Sequence, residues 1–106
     1  MTEKVKIASI EEIPEKIGVQ FEVDNKSLAV FRINGEIFVI NNLCPHQHAP
    51  VLFEGDLDGY ILTCPLHGWK FDLKTGKSTG GQGGIKKYPH MIEGNDIFIE
   101  INKDIF

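Results

Sequence analysis

The sequence predicts an all-β fold, a compact antiparallel sandwich or partial barrel. Three observations predict it: apolar runs of strand length, turn dipeptides between them, and no sustained helical periodicity. Val19-Gln20-Phe21-Glu22-Val23 alternates apolar and polar residues, as a strand with one buried face does. Leu28 to Ile33 and Glu36 to Ile40 flank Asn34-Gly35, the strongest hairpin signal in the chain. Further strands are expected at Tyr60 to Thr63, Trp69 to Phe71, Ile85 to Tyr88 and Ile97 to Ile101. Asp58-Gly59, Thr75-Gly76 and Gly94-Asn95 supply the turns. Ile10 to Ile17 has room for a short helical turn only, because Pro14 limits its length.

A chain of 106 residues is expected to form one domain, residues 1–106. Its apolar share of 42% and charged share of 25% are ordinary for a globular protein and argue against disorder. No apolar stretch is long enough to cross a bilayer, and Met1-Thr2-Glu3-Lys4 lacks the basic start and apolar run of a leader. The expectation is a cytoplasmic protein without a membrane anchor. A net charge of −4 argues against nucleic acid or anionic lipid as partner. It suits solubility and docking to a basic patch on another protein, where charge speeds encounter more than it adds affinity.

Two stretches break the strand pattern, residues 41–53 and 64–69. The first holds Cys44-Pro45-His46 and the second Cys64-Pro65-Leu66-His67, with seventeen residues between His46 and Cys64. Each loop therefore offers one thiolate and one imidazole. Two metals could use the set. A single zinc would take all four ligands tetrahedrally in a closed structural site. A [2Fe–2S] cluster of mixed ligation would divide them, cysteines on one iron and histidines on the other. Zinc modules usually pair like ligands within one knuckle and place the histidines on a helix, whereas both pairs here are mixed and lie in a β context.

Cys-x-His followed at this distance by Cys-x-x-His-Gly-Trp resembles the Rieske ferredoxin family. The similarity extends over the chain and is most specific at Cys44-Pro45-His46-Gln47, Ala49-Pro50, Cys64-Pro65-Leu66-His67-Gly68-Trp69 and Phe71-Asp72. The resemblance implies a Rieske-type β base with an inserted cluster-binding subdomain. It implies one [2Fe–2S] cluster held by Cys44, His46, Cys64 and His67. High-potential relatives add a cysteine to each loop and join the loops by a disulfide; Ala49 and Leu66 stand at those positions here. The same relatives place a serine and a tyrosine after the second histidine, where this chain has Trp69 and Phe71. Fewer donors to the cluster sulfurs imply a potential toward the bottom of the Rieske span of about −150 to +300 mV.

The resemblance further implies an electron carrier, not an enzyme, with a flavin reductase as donor and a terminal oxygenase as acceptor. The small subunit of an assimilatory nitrite reductase is the alternative, but it commonly has asparagine where this chain has Gly68. An oxygenase in its own right would need a second iron site of two histidines and a carboxylate, and only His48 and His90 remain for one. A zinc-stabilised interaction module is the reading from another class. His48 and His90 are expected in loops, and Trp69 as a packing residue under the second loop. Gly80-Gly81-Gln82-Gly83-Gly84 lacks the spacing of a phosphate cradle and is expected to approach the cluster, without the proline that relatives commonly have there. Glu54, Asp56 and Asp58 form an acidic group between the loops, a solvated face or, less simply, a docking patch.

Overall fold

The computed structural model describes residues 2–23, 25–44, 49–66, 68–79 and 83–102. Nine strands form three antiparallel three-stranded sheets, and no α-helix occurs among the described residues. Thr2–Ser9 (β1), His90–Glu93 (β8) and Asp96–Asn102 (β9) make one sheet in the order β1-β9-β8. Val19–Val23 (β2), Lys26–Ile33 (β3) and Glu36–Asn41 (β4) make the second, in chain order. Asp56–Asp58 (β5), Ile61–Thr63 (β6) and Lys70–Asp72 (β7) make the third, also in chain order. The all-β expectation is borne out.

The second sheet is the shared wall of two cores. Ala29, Phe31, Ile33, Phe38 and Ile40 point into one core with Leu52, Leu62, Phe71, Leu73 and both cysteines. Leu28, Val30, Ile37 and Val39 point the other way, into a core with Ile97, Ile99, Ile101 and Tyr88. Burial on both faces explains why β3 and β4 read as nearly unbroken apolar runs, whereas β2 alternates. Their hairpin turns at Asn34 (φ 53°) and Gly35 (φ 82°), the paired left-handed conformation that an Asn-Gly turn supplies.

Several expected elements differ in detail. Ile10–Glu12 is a single 3₁₀ turn, and Glu12 closes it by accepting the Ser9 N–H. Ile85 to Tyr88 is not a strand of its own. It crosses between sheets, with Ile85 N–H donating to Gly76 O, Tyr88 N–H donating to Val39 O, and Lys86 O accepting from Asn41 N–H. His90 opens β8 and is half-buried, because its pairing with Ile99 places it in a ladder, not in the expected loop.

Candidate metal centre

Both irregular loops leave their sheets in the same way. In the first, Cys44 N–H donates to Ala49 O at 2.9 Å; in the second, Cys64 N–H donates to Trp69 O at 2.7 Å. Each cysteine thus begins a loop closed by a backbone bond to the residue five positions on. Just outside the closures, Leu43 bridges Pro50 and Thr63 pairs with Lys70. Gly68, at φ 75°, allows the second loop to turn back, and its N–H bonds to Cys64 O at 3.1 Å.

Asn42 anchors the first loop, and sequence reasoning did not single it out. Its side chain is fully buried. Nδ2 donates to Ser27 Oγ at 3.0 Å and to Pro50 O at 3.2 Å, while Oδ1 accepts from Phe53 N–H at 2.8 Å. Its backbone adds bonds to Ser27 O and from Leu52 N–H. One asparagine therefore ties both ends of the loop to the start of β3. The available signal was the second of two asparagines after an apolar run, two positions before the cysteine.

The two matched closures bring the cysteine sulfurs together. Cys44 Sγ and Cys64 Sγ lie 3.3 Å apart, both buried and neither in a disulfide. The separation is well beyond a disulfide bond of about 2.05 Å. A tetrahedral metal with bonds to sulfur of about 2.3 Å holds two thiolates roughly 3.8 Å apart, so a shift of about half an ångström seats one ion between them. The donor set fits a thiolate-bound iron or zinc. Among the described residues no group of three histidine, cysteine, aspartate or glutamate side chains assembles. His46, His67 and His48 lie outside the described residues, as do Gly80, Gly81 and Gln82.

The positions beside the loops are informative. Phe71 is buried in the same core as both cysteines and carries no hydroxyl. Leu66 is 43% exposed and Trp69 37% exposed. No described helix is long and apolar enough to cross a membrane.

The model of the Rieske [2Fe–2S] domain matches residues 3–89. The ferredoxin component of a naphthalene 1,2-dioxygenase system from Pseudomonas aeruginosa is 37% identical over 105 residues, covering 96% of this chain and 100% of that protein. Among solved structures, a ferredoxin of Sphingomonas yanoikuyae B1 superposes with a TM-score of 0.85 at 34% identity, covering 94% of this chain and 100% of that one. A protein described as an NADH-dependent nitrite reductase small subunit from Mycobacterium tuberculosis gives a TM-score of 0.86 at 18% identity, covering 98% and 99%. The last likeness concerns the fold alone.

Proposed function

The chain belongs to the Rieske [2Fe–2S] domain family, its cofactor is one [2Fe–2S] cluster, and on that footing we propose a low-potential carrier of single electrons between a flavin-dependent reductase and a terminal oxygenase. The observation that carries the reading is the pair of buried thiols 3.3 Å apart at the heads of two matched loops. In this reading Cys44 and Cys64 hold one iron, and His46 and His67 hold the other, within one domain whose cluster-binding loops are residues 41–53 and 64–69. When bound, the cluster supplies a one-electron couple whose potential two neutral imidazoles raise above that of an all-thiolate site.

The chain's own residues set the remaining terms. The Cys44 and Cys64 side chains sit in an apolar core that excludes water from the thiolate end. Leu66 and Phe71 provide neither an inter-loop disulfide nor a hydroxyl donor, which supports a potential near the bottom of the Rieske span of about −150 to +300 mV. Identity of 37% to a dioxygenase ferredoxin component, together with Gly68 after the second histidine, favours that role over a nitrite reductase subunit. The carrier has no catalytic site of its own and works in the cytoplasm. His90, the one described histidine, lies in β8 against Glu36 and Lys87 and is paired to Ile99, in a different sheet from the strands that carry the loops.

The test is anaerobic purification, metal and sulfide analysis, and electron paramagnetic resonance before and after dithionite. Two irons and two sulfides per chain, with a rhombic signal of low average g only after reduction, are the expected result. A colourless protein holding one zinc would overturn it.

A further inference from the structure

Asn34-Gly35 is the one Asn-Gly pair in the chain. Asparagine is a thermolabile residue, and most so before glycine. Glycine has no side chain to shield its backbone nitrogen, and that nitrogen can attack the asparagine Cγ. Both residues are exposed at the tip of the β3–β4 hairpin, so water and base reach them. The fold nevertheless holds the reacting groups elsewhere.

Glu15 reaches the turn from outside the hairpin. Its backbone forms a parallel bridge with Arg32, where Lys16 N–H donates to Arg32 O at 2.7 Å. Lys16, at φ 66°, then turns the chain away. The Glu15 carboxylate spans the turn: Oε2 accepts the Asn34 N–H, and Oε1 accepts the Gly35 N–H at 3.3 Å. Arg32 Nε lies 3.8 Å from the same Oε1, while Arg32 Nη1 donates to Ile13 O at 3.3 Å and so anchors the guanidinium beside the carboxylate. Asn34 Nδ2 donates to Tyr60 Oη at 3.4 Å. Tyr60 is itself fixed edge-on to Phe38, with ring centroids 5.7 Å apart. The attacking nitrogen thus points its hydrogen at Glu15, and the carboxamide that it would attack is tied to another residue.

We infer that Asn34 is a site of spontaneous deamidation, which Glu15 and Tyr60 keep closed in the folded protein. In the reaction Gly35 N–H gives its proton to a solvent base, and its nitrogen bonds to Asn34 Cγ. The Cγ–Nδ2 bond breaks, and the amide takes a proton from water and leaves as ammonia. Water then opens the cyclic imide at either carbonyl, giving aspartate or isoaspartate. Either product sets a new carboxylate beside that of Glu15, where like charges repel. Isoaspartate also adds a backbone atom between Ile33 and Glu36, which pair across the turn, and so disturbs the wall shared by both cores. The inference stands apart from the electron-carrier reading.

The experiment incubates the holoprotein in neutral buffer. The peptide containing Asn34 is followed by chromatography and mass spectrometry, which resolve asparagine, aspartate and isoaspartate. Glu15→Ala should raise the rate at Asn34 about fivefold, the factor that one hydrogen bond of ordinary net strength is worth. Glu15→Gln keeps an acceptor and should fall between Glu15→Ala and the wild type. Tyr60→Phe should accelerate the reaction too. Gly55→Ala, whose strain falls on Thr63 O and Leu62 instead, should destabilise the fold and leave the rate unchanged, which separates release of the clamp from general unfolding. The wild type in urea sets the unprotected rate, expected above that of every folded form. Should Glu15→Ala fail to fold, Glu15→Gln carries the test.

A rate unchanged by the Glu15 variants, or raised as much by Gly55→Ala as by them, overturns the clamp. A slower rate in the Glu15 variants would make Glu15 the base that takes the Gly35 proton, and overturns it as well. No aspartate or isoaspartate at Asn34, even in urea, removes the site.

Discussion

Replacing Asn42 by alanine removes the side chain that ties the first loop to β3. Three hydrogen bonds are lost, to Ser27 Oγ, Pro50 O and Phe53 N–H. At about 1 kcal/mol net for each, the direct loss is roughly 3 kcal/mol. Two of the abandoned partners are backbone groups inside the loop, and each left unsatisfied adds a penalty of about 1–3 kcal/mol unless water enters the space. Entry of one water returns part of that penalty, so an overall destabilisation of about 3–4 kcal/mol is expected. Against a domain stability of about 5–15 kcal/mol this is a large share. Urea unfolding of the cluster-free protein would measure it, with the slope of the transition checking that the unfolded state is unaltered. Asn42→Asp keeps the acceptor for Phe53 N–H but turns two donors into acceptors facing Pro50 O and Ser27 Oγ. It should be destabilised further as pH rises through and above the ordinary carboxyl range, because the charged form must then be buried. A loss below about 1 kcal/mol for Asn42→Ala would refute the view that this residue organises the loop.

Other outcomes follow from single contacts. Gly55→Ala should cost about 1–3 kcal/mol by overpacking, since its Cβ would meet Thr63 O at 2.5 Å and Leu62 Cδ1 at 2.7 Å, and its φ of −68° rules out a conformational cause; thermal unfolding reads this. Cys44→Ser and Cys64→Ser should each abolish the reduced-state paramagnetic signal and leave no more than a trace of iron in the purified protein. Burial, with Lys87 nearby, holds the His90 imidazole below its ordinary pKa of 6.5, an effect that the Tyr88 backbone and Glu36 only partly offset. The unfolded chain therefore binds the proton more tightly. Stability should fall as pH drops from about 6.5 through the depressed folded value and then level off, and His90→Gln should remove that part of the pH dependence in urea titrations.

Much of the base was legible because side-chain burial and strand geometry agree. The β3–β4 hairpin was readable from Asn34-Gly35 and its apolar flanks, and β2 from its alternation. β1 is absent from the strands expected from sequence although Val5 and Ile7 alternate with Lys4 and Lys6. β5 gives almost no sequence signal, because Asp56 and Asp58 face water and Leu57 alone points inward. It is a strand by virtue of the backbone ladder to β6. β8 is equally faint, its order coming from pairing with β9. At the site, the cysteine pairing was legible from motif spacing, whereas the equivalence of the two loops was not. That equivalence resides in backbone bonds from each cysteine to the fifth residue beyond it, which no side-chain pattern encodes.

The pairing of β1 with β9 has a practical consequence. It sets Thr2 opposite Asn102, and both belong to the sheet covering the core on the far side of β3 and β4 from the cysteines. Anything attached near either position, whether a fusion partner, a surface tether or an electrode linker, therefore grips the molecule from behind. A monolayer anchored in this manner would present the thiol-bearing loops outward to solution, with the two-sided middle sheet as a spacer of fixed thickness between support and redox centre.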